Sequence, residues 1–181
     1  IPLAKMGIPA TRSALESSPG YTPPDDPESA SSVTGRREAP LIDAEFSGGA
    51  DSPEDLARRI LAALRARDRQ ALQSLRVLPG EFEEVLWPEF PQSRPITNLV
   101  ADDAYFFIDR SCLAGVSQGL ADFGGQELRL DRIEYEIGKK IYRNFTIYDG
   151  VVIHATAPGE IQVAIRFAPA FAERHGIWKV Y

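Results

Sequence analysis

The apolar residues of this chain change their spacing once, near Gln126, and this change constrains the fold more than any other feature. Between residues 52 and 124 they recur every three or four residues, which is the period of amphipathic helices. After Gln126 they alternate with polar residues, as in strands that bury one face. Helices followed by strands, with no helix between the strands, predict an α+β fold with an antiparallel sheet.

Local signals set the boundaries of the predicted helices. Ser52-Pro53 begins the first one, with serine as the N-cap and proline at the first helical position. The apolar phase shifts at Asp68, which predicts a second short helix that ends at Pro79-Gly80. Residues 81–90 predict one or two helical turns, and a longer helix ends at Gly124-Gly125. The apolar line of that longer helix consists of Ala104, Phe107, Ile108, Cys112, Val116 and Leu120.

The second half of the chain predicts a meander of strands. Its first strand is long and is expected to bend at a bulge near Asp131-Arg132. Asp149-Gly150 is typical of a hairpin turn, Pro158-Gly159 predicts another turn, and His175-Gly176 precedes the last strand. One face of these strands is apolar and is expected to fill the core. Its residues are Ile141, Phe145, Ile147, Val151, Ile153, Ala155, Ile161, Val163, Ile165 and Phe167.

Three of these features together resemble the nuclear transport factor two-like superfamily, also called the cystatin-like α+β roll. They are the helix break within residues 66–72, the later helix that leads into a curved meander, and the closing turn and strand at residues 173–180. The resemblance covers residues 53–181 and implies helices packed on a curved antiparallel sheet. An enzyme of this fold would be expected to hold an aspartate and a tyrosine or histidine in the cone between them. The superfamily includes enzymes, ligand carriers and interaction domains, so the fold leaves the function open.

Residues 1–50 differ in composition from the rest of the chain. They hold seven of the 14 prolines and only two of the 17 aromatic residues. Such a segment cannot bury enough apolar surface to offset the entropy of ordering it. We therefore expect an extended low-complexity arm over residues 1–50 and a roll domain over residues 51–181. Prolines keep the arm extended, which lowers the cost of docking it on a partner. Its candidate anchors are Ile1, Leu3, Met6, Ile8, Leu15, Tyr21, Leu41 and Ile42.

The overall composition excludes several classes of function. A net charge of −6 argues against a nucleic-acid partner, which would normally meet a basic face. One cysteine and two histidines exclude an intrachain disulfide, a multi-cysteine zinc site and a histidine-rich metal cage. No stretch approaches the roughly 20 apolar residues of a membrane span, so we expect no transmembrane segment.

The sequence offers no residue set with a recognisable catalytic signature. The acidic candidates are Asp102, Asp103, Asp109 and Asp131. The first two are typical of a helix start, and Asp109 is expected to form a solvated ion pair with Arg110 or Arg129. Neither His154 nor His175 has a partner at triad or metal-ligand spacing, and Cys112 lies on an apolar helix line. We therefore predict no catalytic, cofactor-binding or metal-binding residues, and no cofactor.

The polar phase of the strands carries few of the charges that a solvated face would show. Its candidate partner-binding residues are Tyr142, Asn144, Tyr148, His154 and Arg166. Tyrosine, arginine and neutral hydrogen-bonding side chains are favoured at protein interfaces. A half-exposed sheet explains the same residues in part, because tyrosine and threonine also favour strands.

These observations favour a non-catalytic interaction subunit, an extrinsic component of a larger bacterial assembly whose arm wraps its partner subunits. Sixteen arginines against four lysines indicate a GC-rich bacterial genome. A respiratory or photosynthetic membrane complex is one expected setting, with peripheral contact to the membrane complex. If a leader has been removed, the expected compartment is the periplasm. Two alternatives stay open: a ligand-binding or isomerase/dehydratase-like protein that uses Arg143 and a buried aspartate, and a lipoprotein-like domain whose arm is a tether.

Overall fold

The computed structural model describes residues 35–36 and 39–181, and its elements run from helices to strands. Two α-helices, α1 (Pro53–Ala66) and α2 (Arg69–Ser74), precede a run of short helical turns, and the long helix α3 (Ala101–Phe123) follows the turns. The strands are β1 (Arg129–Ile141), β2 (Thr146–Ala157), β3 (Ile161–Ile165), β4 (Ala170–Arg174) and β5 (Ile177–Val180). The predicted α+β class is confirmed.

Helices α1 and α2 begin at the predicted signals, but α2 ends at Ser74, before the predicted stop at Pro79-Gly80. Pro79 instead begins a separate helical turn, Pro79–Glu81. Ser52 Oγ accepts a hydrogen bond from the Asp55 amide at 3.0 Å, and Asp68 Oδ1 accepts one from the Ala71 amide at 2.9 Å. Arg67 adopts a left-handed conformation, which ends α1 and separates it from α2. The third helix ends at Gly124 as expected. Phe107, however, is 69% exposed, so its predicted place on the buried line of α3 is wrong.

The described strands form one antiparallel sheet in the order β1-β2-β4-β5. The first half of β2 pairs with β4, and its second half pairs with β3. The bulge predicted near Asp131-Arg132 is confirmed by a register shift between Leu130 and Arg132. A second shift lies between Tyr135 and Gly138, opposite Gly150. The long strand β2 therefore forms the centre of the sheet and contacts three neighbours.

The hairpin predicted at Asp149-Gly150 is wrong, because these residues lie inside β2. The turn between β1 and β2 falls at residues 142–145 instead. Gly150 has a φ of 71°, and this left-handed residue changes the side-chain phase of the strand. Ile147, before it, packs with one buried cluster, whereas Val151, after it, packs with the other. A single alternation therefore does not run through the strand.

Two buried clusters hold the domain together. The first joins α1 and the C-terminal half of α3 to the second half of β2, with Leu56, Ile60 and Ile153 fully buried. The second cluster joins the helical turns at residues 82–90 to the first half of β2 and to β4. Ile141 and Ile161 lie outside both and are more than 60% exposed, contrary to the single apolar face predicted from the sequence.

Residues 39–50 lie against the domain, and we call them the strap. Ala39 and Phe46 are buried, and Ala50 exchanges two backbone hydrogen bonds with Trp178 at 2.9 and 2.8 Å. Arg174, 1% exposed, donates to carbonyl oxygens of the strap. The folded unit thus includes twelve residues that the composition places in the arm. Composition does not show their contacts, because their hydrogen-bonding partners come from distant parts of the chain.

Because α3 packs closely at Gly115, replacing this glycine with alanine is expected to destabilise the protein, although the same change usually stabilises a helix. A Cβ atom at this position would overlap the carbonyl oxygen of Phe167. Glycine to alanine inside a helix normally stabilises by about 1 kcal/mol. Here overpacking costs roughly 1–3 kcal/mol, so Gly115→Ala is expected to lower the midpoint of urea unfolding. Gly80→Ala, where nothing lies within 4 Å of the added atom, is the control; an unchanged or raised midpoint for Gly115→Ala would contradict the packing.

Candidate functional site

An aromatic cavity of about 220 Å³ opens between α3, the helical turns and the first half of β2. Its walls include Phe82, Phe90, Ala104, Ile108, Tyr142 and Tyr181. Phe90 stands at the centre of the aromatic set, with ring centroids 5.4 Å from Tyr142 and 6.2 Å from Tyr181. Tilted and edge-to-face rings of this kind form a rigid wall, because each ring fixes the next. We name this space, with these walls, the aromatic cavity.

A polar pair lies in the otherwise apolar wall. Lys140 Nζ is 2.7 Å from Asp149 Oδ2, and the Asp149 side chain is only 19% exposed. Lys140 comes from β1 and Asp149 from β2, and the bulge opposite Gly150 brings them to the same opening. The hydrogen bond to Asp149 raises the pKa of Lys140, so the lysine stays charged over the physiological range. The pair offers one cationic and one anionic group to an occupant of the cavity.

Two tyrosines contribute neutral hydroxyl groups to the same cavity. Desolvation by burial raises the pKa of Tyr142 and raises that of Tyr181 further. Both phenols are therefore protonated at physiological pH and can donate hydrogen bonds. Gln92 and Trp87 stand at the wall beside them. The cavity thus combines aromatic surface with a few polar groups, which is typical of a recognition pocket.

A wider groove of about 900 Å³ runs between α1, β1 and the turn after β2, and two ion pairs lie along it. Arg65 lies 2.9 Å from Glu127, and Arg129 lies 3.7 Å from Glu160. These side chains are more than 60% exposed, so water screens the pairs. We therefore favour the smaller aromatic cavity as the candidate site.

The residues predicted for the outer sheet face do not share a surface. Tyr142 lines the aromatic cavity, and Asn144 is buried in the turn before β2. Tyr148 packs on the first cluster, with its ring centroid 4.7 Å from that of Trp178. His154 and Arg166 lie toward solvent, but they pair with glutamates of β1 at 2.9 and 2.6 Å. The phase change at Gly150 separates the two groups.

Six of the eight candidate arm anchors lie outside the described residues, and two lie within them. Ile1, Leu3, Met6, Ile8, Leu15 and Tyr21 lie outside the described residues. Leu41 and Ile42 belong to the strap, where Leu41 is 69% exposed and Ile42 packs against the second cluster. The Ile42 amide donates to Asn144 Oδ1 at 2.9 Å. Ile42 therefore makes an intramolecular contact, and Leu41 alone of the two is open to a partner.

The acidic candidates identified by sequence lie away from the cavity walls. Asp109 forms a largely buried pair with Arg76 at 2.5 Å, so the expected pairing with Arg110 or Arg129 is wrong. Asp131 accepts a hydrogen bond from Thr156 at 2.7 Å. Asp102 and Asp103 occupy the first turn of α3 as predicted.

The other polar candidates are either bonded to residues of the strap or buried within the fold. Arg143, the pocket arginine of the alternative hypothesis, donates to the Ala39 carbonyl at 2.8 Å. His175 contacts the exposed Glu45 at 2.6 Å. Cys112 is buried, and desolvation raises its thiol pKa. Within the part of the chain that the structure describes, no group of histidine, cysteine and acidic side chains is arranged to hold a metal ion.

Sequence reasoning missed Lys140 and Asp149, the charged pair of the cavity. Asp149-Gly150 predicts a turn because Asp-Gly is typical of hairpins, and no pattern in the sequence singles out Lys140. A usable signal did exist: Asp149 follows Phe145 and Ile147 in the same alternation, which places a carboxylate among core side chains. A buried position for an acid is the kind of exception that marks a site.

Comparison with protein-family models, with curated proteins and with solved structures finds no significant match to this chain. The resemblance to the nuclear transport factor two-like superfamily therefore remains a prediction. Of the helices among residues 39–181, none has both the length and the apolar character that a membrane crossing requires.

Proposed function

We propose that this chain is a non-catalytic interaction subunit of a larger assembly, and that its aromatic cavity receives an apolar side chain of a partner protein. The observation that carries the proposal is the apolar rim at Leu99. Leu99 lines the cavity and is itself 36% exposed, and its neighbours Ile96 and Val100 are 46% and 56% exposed. An exposed apolar rim around a pocket is the usual setting of an interface hot spot.

The size of the cavity favours an amino-acid side chain as its occupant over a drug-sized molecule. Small-molecule pockets usually hold roughly 300–1,000 Å³, whereas this cavity holds about 220 Å³. Interface anchors are commonly aromatic residues or arginine that fill a preformed pocket. Tyr142 and Tyr181 can hydrogen-bond the polar end of such an anchor. Lys140 at the opening can pair with an acidic neighbour on the partner.

The strap supports a second contact by the preceding segment. It fixes the chain to the domain from residue 39 onward. Their proline content keeps an arm extended, and a tethered arm adds avidity to a docked domain. The proposal therefore assigns the cavity to primary docking and residues 1–34 to the wrapping contact.

Site-specific photo-crosslinking in cells of the source organism tests the proposal. A benzophenone amino acid at position 99 of the full chain is expected to capture one partner protein, and the same group at Ile161, an exposed residue of β3 away from the cavity, is the control. Filling the cavity with Ala104→Trp is expected to weaken binding of the purified partner at least about tenfold. Ala121→Trp, at an exposed position of α3, should leave binding unchanged. Equal capture from positions 99 and 161, or binding unaffected by Ala104→Trp, would refute the proposal.

A small polar ligand is the second candidate occupant, and the Lys140–Asp149 pair favours it. Lys140 offers a ligand a cation beside the partly buried Asp149, and the phenols of Tyr142 and Tyr181 offer hydrogen-bond donors. Fragment screening by NMR distinguishes the two candidates. A ligand that shifts the signals of Lys140 and Tyr142 in the wild type, and fails to shift them in Ala104→Trp, would favour the ligand-binding function over the protein partner.

A further inference from the structure

The outward side of α3 carries an apolar surface that the aromatic cavity does not use. Phe106 and Phe107 are 54% and 69% exposed, and their rings lie 5.8 Å apart in an edge-to-face contact. Neither residue lines the cavity. Two exposed phenylalanines side by side on a helix leave an apolar patch in water, which marks a contact surface.

Charged residues flank this patch at equal distances. Asp103 and Arg110 are exposed, lie seven residues apart, and fall on the same side of the helix as Phe107. Within residues 39–181, neither makes an ion pair, although the Arg110 guanidinium lies 5.7 Å from the Phe106 ring centroid. Seven residues correspond to about 10 Å along a helix, so one acidic and one basic group border the phenylalanines.

We propose that this face of α3 docks on the same face of a second copy of the chain, with the two helices antiparallel. A two-fold axis between Phe106 and Phe107 places each Asp103 opposite the Arg110 of the other copy, at both ends of the aromatic patch. The surface is thus complementary to itself, as a two-fold symmetric interface requires.

The charge pattern favours an antiparallel over a parallel arrangement of the two copies. In a parallel pair Asp103 would face Asp103 and Arg110 would face Arg110, and like charges across an interface are costly. The contact of one helix face is small, below the roughly 1,200 Å² that stable complexes exceed, so the dimer is expected to be weak and reversible.

Sedimentation equilibrium of the full chain, from micromolar to millimolar concentration, tests the inference. The wild type is expected to dimerise with concentration, and Asp103→Arg or Arg110→Glu should each raise the dissociation constant at least about tenfold. The double variant Asp103→Arg/Arg110→Glu should restore dimerisation, because it exchanges the charges at both ends. Phe107→Ser should also weaken the dimer, with circular dichroism confirming that each variant is folded.

Two outcomes would overturn the inference. One is a wild type that stays monomeric over the whole range, including one that instead sediments with phosphatidylcholine vesicles through Phe106 and Phe107. The other is a dimer that the charge variants and Phe107→Ser leave unchanged. Neither result affects the cavity proposal, since its test uses Leu99 and Ala104, which line the cavity, whereas the residues of the dimer test do not.

Discussion

Replacing Lys179 with methionine is expected to lower the free energy of unfolding by about 3–5 kcal/mol, one of the two largest effects of any single substitution proposed for this protein. Lys179 is fully buried in β5, and its Nζ atom lies 2.7 Å from both carboxylate oxygens of Glu81. Methionine keeps most of the volume and removes the charge. Glu81, 8% exposed, would then be a buried carboxylate without its counter-ion.

Glu81 does more than neutralise the lysine. It accepts hydrogen bonds from the amides of Ser47 at 2.6 Å and Leu78 at 2.8 Å. One buried ion pair therefore connects β5 to the strap and to the helical turn Pro79–Glu81. Lys179→Met is expected to loosen these three segments together, which makes the loss cooperative rather than local.

Urea unfolding followed by circular dichroism measures the effect of Lys179→Met. The matched control is Lys139→Met, which changes an exposed lysine of β1 and is expected to cost less than about 0.5 kcal/mol. The double variant Lys179→Met/Glu81→Gln should be more stable than Lys179→Met alone, because it removes the unpaired charge. A loss below about 1 kcal/mol for Lys179→Met would show that the pair is solvated, contrary to its burial.

Replacing Arg174 with leucine is expected to cost roughly 3 kcal/mol or more, because it leaves three buried or part-buried carbonyl groups without their donor. The Arg174 guanidinium donates to the Ala44 carbonyl at 2.8 Å, to Ile42 at 2.5 Å and to Asn144 at 2.6 Å. A planar guanidinium can serve three acceptors in one plane, which an ammonium group cannot do. Arg174→Lys should therefore recover only part of the loss.

Amide hydrogen exchange shows which part of the fold Arg174→Leu loosens. The Ile42 amide, which donates to Asn144 Oδ1, is expected to lose protection first as the strap detaches. Arg166→Leu is the matched control, because this exposed arginine makes only a surface pair with Glu136, worth about 0–1 kcal/mol. Unchanged protection at Ile42 in Arg174→Leu would mean that other contacts hold the strap.

Sequence periodicity was enough to predict the helices, the α+β class and the first bulge, because each depends on local signals. Ser52 and Asp68 cap helices through contacts three residues away, so a reader of the sequence can locate them. The exposed Phe107 shows the limit of that approach, since helical phase alone cannot say how wide the buried face is.

The candidate site could not be predicted, because it depends on features that local sequence patterns do not show. Gly150 adopts a left-handed conformation inside a strand, and the same Asp-Gly pair in other proteins usually forms a turn. The cavity then results from that glycine, the bulge in β1 and the helical turns around Phe90, which are separated by about 60 residues. The strap was assigned to the arm because its partners, Asn144 and Arg174, lie more than 100 residues away.

The strap has a consequence for the order in which the protein can fold. Its residues are synthesised before the helices and strands, but Arg174, the donor that holds Ile42 and Ala44, follows these two residues by 132 and 130 positions. On the ribosome the strap therefore has to wait until β4 has emerged. Contacts of such long sequence separation slow folding, because the loop must close before its contacts form. Emergence of β4, rather than emergence of α1, is the event that should close the strap onto the domain.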